Sequence, residues 1–173
     1  MTPTRAGVLE IQCFYDNEMK YLVKEMSVYD LNHHSSTHWI FKPPERGLDY
    51  EVSSSPKTRR VNEWVVRNLH RIPWEAGEVN FEESGEIFRK IFSSFDLLYV
   101  KGLQKLNFLK TEAKGFPSPP PMFVNLEDLG CPKIAILLEP NWIGSHCLQH
   151  NSEPTRCTTY KLKGLVRWFL NRI

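Results

Sequence analysis

Residues 8–14, VLEIQCF, followed by 21–29, YLVKEMSVY, and 38–41, HWIF, decide the fold. In the first run Leu9, Ile11 and Cys13 alternate with Glu10 and Gln12, the period of a half-buried strand. Asp16-Asn17-Glu18 supplies a turn, because Asp and Asn side chains stabilise tight backbone reversals. The second run is rich in β-branched and aromatic residues, and the third stops at Pro43-Pro44, where strand pairing cannot continue. Connections this short predict antiparallel pairing for all three strands.

Beyond this meander the period changes. Residues 45–58 are polar and read as a surface loop. From Arg60, the residues Val61, Trp64, Val65, Asn68 and Leu69 fall on one helical face, and Pro73 ends that helix. A second helix is expected over residues 84–92, with Ser84 as its cap and Ile87, Ile91 and Phe92 on its apolar side. Residues 95–100, FDLLYV, read as a buried strand leading into a helix that carries Leu103, Leu106 and Leu109. The stiff segment 115–121, GFPSPPP, joins that helix to a short strand at 122–124. Residues 125–137 fit helix or strand equally well. A closing helix over about 155–171 places Leu162, Leu165, Val166, Phe169 and Leu170 on one stripe. There is no internal repeat. The order of elements predicts one domain over residues 1–173, an α/β fold with an RNase H-like mixed sheet and helices on both faces.

Composition agrees with a single folded domain. Of 173 residues, 41% are hydrophobic and 24% charged, which excludes a disordered chain and a coiled coil. No run approaches the roughly 18 apolar residues of a membrane helix. Pro3, Thr4 and Arg5 interrupt any signal-peptide core at the N-terminus, so the expected location is cytoplasmic or nuclear. There the four cysteines stay reduced. The 22 basic and 20 acidic residues nearly balance, so any nucleic-acid signal rests on where the charges sit.

The most informative stretch is residues 146–157, HCLQHNSEPTRC. Cys147, His150 and Cys157 offer two thiolates and an imidazole, the donor types of a tetrahedral zinc site. His146, Cys131 or a distant carboxylate are open as the fourth ligand. The competing reading is two buried cysteines and an exposed histidine without metal. The segment Cys147-x-x-His150-x6-Cys157 before a helix resembles the end of the Maelstrom domain of the piRNA pathway. The strand YLVKEMSV, the following HWIFKPP and the piece LLYVKGLQKLNFL resemble other parts of the same domain. Stand-alone insect proteins with an early KE, a middle YVKG, a late HCxxH and a closing Cys are closer still. The resemblance implies an RNase H-like fold of the DEDDh-exonuclease lineage and a Glu-Cys-His-Cys zinc motif. It thereby assigns Glu25, Cys147, His150 and Cys157 as ligands of a structural Zn2+. Taken alone, Glu25 could equally face solvent on an edge strand beside Lys24.

Exonucleases of that lineage hold two metal ions about 4 Å apart with four carboxylates. Here Ser27 follows Glu25 at the spacing of the first pair, Lys101 stands at the middle strand, and Leu162 falls where the last acid belongs. The catalytic site therefore reads as lost, with Glu10, Asp16, Asp30 and Glu139 as solvated surface acids. Basic residues concentrate at the end: Arg156, Lys161, Lys163, Arg167 and Arg172 occur from 154 onward with no acid among them. Lys163 and Arg167 share a helix face. Such a patch either binds phosphates or is a solvated face; Trp142 and Trp168 could stack on bases or pack in the core. The expected function is a zinc-stabilised, catalytically degenerate domain that binds single-stranded RNA or another single strand, in the setting of small-RNA silencing. The alternatives are a protein-interaction scaffold and an active exonuclease or endoribonuclease. The resemblance also implies metal-independent RNase activity, for which no residue can be named.

Overall fold

The computed structural model describes residues 2–44, 54–142 and 144–172. Strands β1 (Ala6–Tyr15), β2 (Tyr21–Asp30) and β3 (Ser35–Ile40) pair antiparallel, as their short connections require. Strands β4 (Leu97–Val100) and β5 (Met122–Asn125) add parallel to β1, giving a five-stranded sheet of order β3-β2-β1-β4-β5. Parallel pairing needs crossovers. Helices α1 (Pro56–Val65) and α2 (Ser84–Ser94) lie between β3 and β4, and α3 (Leu103–Lys114) joins β4 to β5. A short helix α4 (Ile134–Leu137) precedes the last helix, α5 (Thr158–Arg172). The α/β class and the mixed sheet expected from the sequence are therefore present. No helix among the described residues is long and apolar enough to cross a membrane.

Alternation in β1 sorts the two faces. Leu9, Ile11 and Cys13 point to one side, where they meet Phe88, Ile91 and Phe92 of α2 and Leu106 and Leu109 of α3. Val8 points to the other side, with Leu162, Leu165, Val166 and Phe169 of α5. That second face is unusual in what it buries: Glu10, Gln12, Glu25 and Ser27 are all almost fully covered. Buried polar groups persist only when their hydrogen bonds are made, so this face is where specific chemistry is concentrated.

Several boundaries differ from the sequence reading. Helix α1 starts at Pro56, with the Ser55 hydroxyl accepting from the Thr58 N–H. It continues into a π-helical turn, Val66–His70, and stops at Arg71 in the left-handed region, before Pro73. Its buried residues are Thr58, Asn62 and Val65, whereas Trp64 and Leu69 are 53% and 43% exposed. Asn62 turns inward because its amide bonds both the N–H and the carbonyl of Tyr15 at the end of β1. Ser84 is not the cap of α2; a 3-10 turn, Phe81–Glu83, precedes it, and the Glu83 carboxylate accepts from the Asn80 N–H. The ambiguous stretch resolves into a 3-10 turn, Leu126–Leu129, and α4. Helix α5 begins only at Thr158, because residues 154–156 form a separate turn. Of the loop expected over 45–58, residues 45–53 lie outside the described residues.

Arg5 ties the starts of β1 and β4 together, its guanidinium donating to both Asp96 oxygens and to the Ser93 carbonyl. The side-chain hydrogen bond from Arg5 draws the Asp96 pKa down to about 2 from 3.8. A depressed carboxylate stabilises the fold above its unfolded pKa, and that contribution is lost as pH falls through the folded value. Asp96→Asn should melt below wild type at neutral pH, with the difference closing as pH drops from 3.8 to about 2. Melting temperatures that stay parallel across that range would contradict it.

Candidate metal centre

A one-residue irregularity in β2 borders the site. Gln12 pairs with Glu25 and Cys13 pairs with Val23, so Lys24 has no partner across the ladder. Such a β-bulge resets the side-chain alternation of the strand. Val23, Met26 and Val28 all reach the core beneath α2 and α3, and Glu25 is left facing α5. The ammonium of Lys24 donates to the carbonyls of Trp74 and Ala76.

Glu25 is fully buried. Its Oε1 accepts from the Gln12 amide at 2.6 Å and from the Thr158 N–H at 3.1 Å. These bonds fix the carboxylate and leave Oε2 facing a cluster of donors. His38 Nε2 stands 2.7 Å from it, the Cys157 sulfur 3.5 Å, the Cys147 sulfur 3.8 Å and His150 Nδ1 3.5 Å. The loop before α5 delivers three of them. The Cys147 N–H donates to the Cys157 sulfur at 3.4 Å, and the Cys147 sulfur is 3.1 Å from His150 Nδ1. Glu25, His38, Cys147 and Cys157 each present one ligand atom, all within 4.8 Å of one another, so this group could hold a metal ion.

Two imidazoles thus approach the same carboxylate oxygen, and their outer bonds differ. His150 Nε2–H donates to the His70 carbonyl at 2.7 Å, which leaves Nδ1 as the lone-pair atom facing the cluster. The π-helical turn presents that carbonyl. His38 instead points Nε2 at Glu25. The electrostatics favour a cation here. A hydrogen bond from Cys147, opposed by desolvation, holds the Cys157 thiol far below its usual pKa, while that bond and burial push Cys147 up. Desolvation lowers His38, but hydrogen bonds to Cys157 and Glu25 outweigh it and raise its pKa to about 9. Negative charge on sulfur and carboxylate collects in a space with little water, where a divalent cation could compensate it.

All four ligand candidates from the sequence, Glu25, Cys147, His150 and Cys157, meet at this point. Cys13, Cys131 and His146 lie elsewhere: Cys13 in the core under α2 and α3, Cys131 in the second core cluster, and His146 bonded to Asn151. Glu25 is not a solvent-facing edge residue. His38 escaped the sequence reading, since only the pairing of β2 with β3, which sets it opposite Ser27, brings it to Glu25.

The other site residues are dispersed. Arg156 is turned onto Glu153 and the carbonyls of Asn68 and Leu69, bracing the loop against the π-helical turn. Lys161 points inward, its ammonium donating to Gln12 at 2.9 Å. Lys163 and Arg167 share the outer face, where both cations lie over the Trp142 ring, 4.9 and 5.3 Å from its centroid. Glu25 and Ser27 lie on β2; the buried polar residues two apart on β1 are Glu10 and Gln12. Glu10 is 3% exposed and ion-paired with Lys105, so it is not a solvated surface acid. Comparison of the sequence with models of known families and with characterised proteins finds no match.

Proposed function

We propose that this chain is a zinc-stapled, catalytically degenerate domain that binds single-stranded RNA, or a similar single strand, without cutting it. The zinc would be held by Glu25, Cys147, His150 and Cys157, with His38 donating to Glu25 from outside the ligand shell. Two sulfurs, one nitrogen and one oxygen suit a closed tetrahedral site, and a closed site leaves no position for an activated water. The resemblance to the Maelstrom domain supports the same ligand set and a role in small-RNA silencing.

One observation carries the nucleic-acid reading: Lys163 and Arg167 are held over Trp142 on the outer face of α5, beside the loop the metal would anchor. Cation–π interactions restrain two long side chains before any phosphate arrives, which lowers the ordering cost of binding. Lysines argue against hydrolysis. Lys105 neutralises Glu10, and Lys161 bonds Gln12, where a two-metal enzyme needs free carboxylates. The exposed Trp64 and Leu69 on α1 and its π-helical extension favour the second reading, a protein-interaction scaffold.

The test is strand binding across a salt series. Lys163→Glu with Arg167→Glu should weaken binding at least tenfold at unchanged melting temperature. It should also flatten log K against log salt by roughly 0.7 for each phosphate the variant no longer neutralises. Magnesium or manganese should elicit no degradation. Absence of binding at low salt, or an unaffected double variant, would transfer support to the scaffold reading.

A further inference from the structure

On the inward side of α5 a separate cavity of about 380 Å3 opens between β1, the end of β4, the start of α3 and α5. Lys101, Lys105 and Lys161 line it, together with Glu10, Glu127, Gln104 and Tyr21. The three lysines come from three different elements, so their convergence is a property of the fold and not of one basic helix.

Charge does not balance in this cavity. Lys105 pairs with Glu10, and Lys101 with Glu127 at 3.2 Å. Among the described residues, Lys161 has only the neutral Gln12 oxygen as its bonded partner. Burial lowers the Lys161 pKa, Glu10 draws it back up, and Lys105 adds to the lowering. An ammonium placed between an amide and another ammonium is stabilised by an anion arriving from outside. The first turn of α3 borders the same space. Gly102, at φ 107°, precedes it and has no side chain to accept from the turn's N–H groups. The Gly102 N–H itself is bonded to Asn125, which fixes the backbone there. Ammonium groups arriving from three directions match the three outer oxygens of a tetrahedral dianion better than they match a planar carboxylate. The volume falls within the range of small-ligand sites and leaves room for a sugar or base beyond the anion.

We propose that the cavity bounded by Lys101, Lys105 and Lys161 binds a phosphate monoester, either free or at the end of a nucleic-acid strand. Lys105 and Lys101 keep their pairs with Glu10 and Glu127 and each turns a further ammonium N–H toward the phosphate, while Lys161 meets it from the floor. This site is independent of Lys163 and Arg167, which lie on the opposite face of the helix.

Calorimetry on the full chain, as isolated with its metal, tests the site with inorganic phosphate and with a nucleoside 5′-monophosphate at low salt. Both should bind, and Lys161→Met should weaken each at least tenfold, about 1.4 kcal/mol. Lys163→Met should leave both unchanged. Should Lys161→Met fail to fold, Lys101→Met, which leaves only the half-exposed Glu127 without its partner, should weaken both ligands as well. A second arm compares 5′-phosphorylated with 5′-hydroxyl single strands. Tighter binding of the phosphorylated strand, abolished by the pocket variants, assigns the site to strand ends; lysine dependence confined to the small molecules assigns it to free esters. Failure of phosphate and monophosphate to bind at millimolar concentration, or binding that survives the pocket variants, overturns the proposal. Strand binding abolished in the Lys163→Glu, Arg167→Glu variant with phosphate binding intact separates this site from the outer surface.

Discussion

Cys157→Ser is expected to purify without stoichiometric zinc and to melt roughly 10 °C below wild type. The size follows from burial. Cys157 is completely enclosed, receives the Cys147 N–H and lies 3.5 Å from the Glu25 carboxylate. Serine keeps the shape but is a poor zinc ligand, so the remaining donors are left buried and uncompensated. Breaking one member of a buried charged group costs about 3–5 kcal/mol, and in a domain of this size each kcal/mol moves the midpoint by about 2–4 °C. Removing the metal with a chelator should reproduce the shift in wild type and produce none in the variant, because ligand binding energy is folding energy here. Elemental analysis with thermal melts checks both. His150→Ala should also empty the site, whereas His38→Ala should retain metal with lower affinity. Full metal content and wild-type melting in Cys157→Ser would sink the zinc assignment.

Deleting Lys24 should lower stability and still leave the metal ligands together. The bulge places Val23 with Met26 in one core while Glu25 faces α5. Without Lys24 the run Val23-Glu25-Met26 alternates strictly and keeps each side chain on its present face, with Glu25 opposite Gln12 and Val23 opposite Cys13. The losses are the bonds from the Lys24 ammonium to the Trp74 and Ala76 carbonyls, and the bond from the Phe41 N–H to the Lys24 carbonyl. Lys24→Met loses only the first two, a cost of about 1–3 kcal/mol with metal retained. The deletion should melt lower than Lys24→Met, because it also breaks the link to the end of β3, and should retain metal. Thermal melts and metal content check both variants; a deletion that folds without binding metal would show that the bulge itself sets the site.

What the sequence revealed and what it hid divide along range of interaction. The meander was legible because alternation and short turns are local, and Cys147, His150 and Cys157 because ligand spacing is local. The apolar stripe proposed for the first helix failed in part because Asn62 is drawn inward by Tyr15, 47 positions away. Glu10 reads as an ordinary surface acid until α3 brings Lys105 to it across 95 positions. His38 depended on the register between two strands, and Arg156 on carbonyls of a π-helical turn that no periodicity announces. Glu25 is pointed to by resemblance; its burial comes from Cys147, Cys157 and the start of α5, more than 120 positions away.

The contrast between the two sheet faces bears on the order in which the chain is made. Strands β1 to β4 with α2 and α3 bring together the larger apolar cluster, so that half has what it needs to collapse before α5 has left the ribosome. The face awaiting α5 carries Glu10, Gln12, Glu25 and Ser27, side chains that water solvates well, and so offers other nascent chains little to stick to. Metal capture by this group would then be a late event, since Glu25 and Cys157 are separated by 132 positions. An ion bound there would act as a latch on a fold already half formed, closing as the last helix docks.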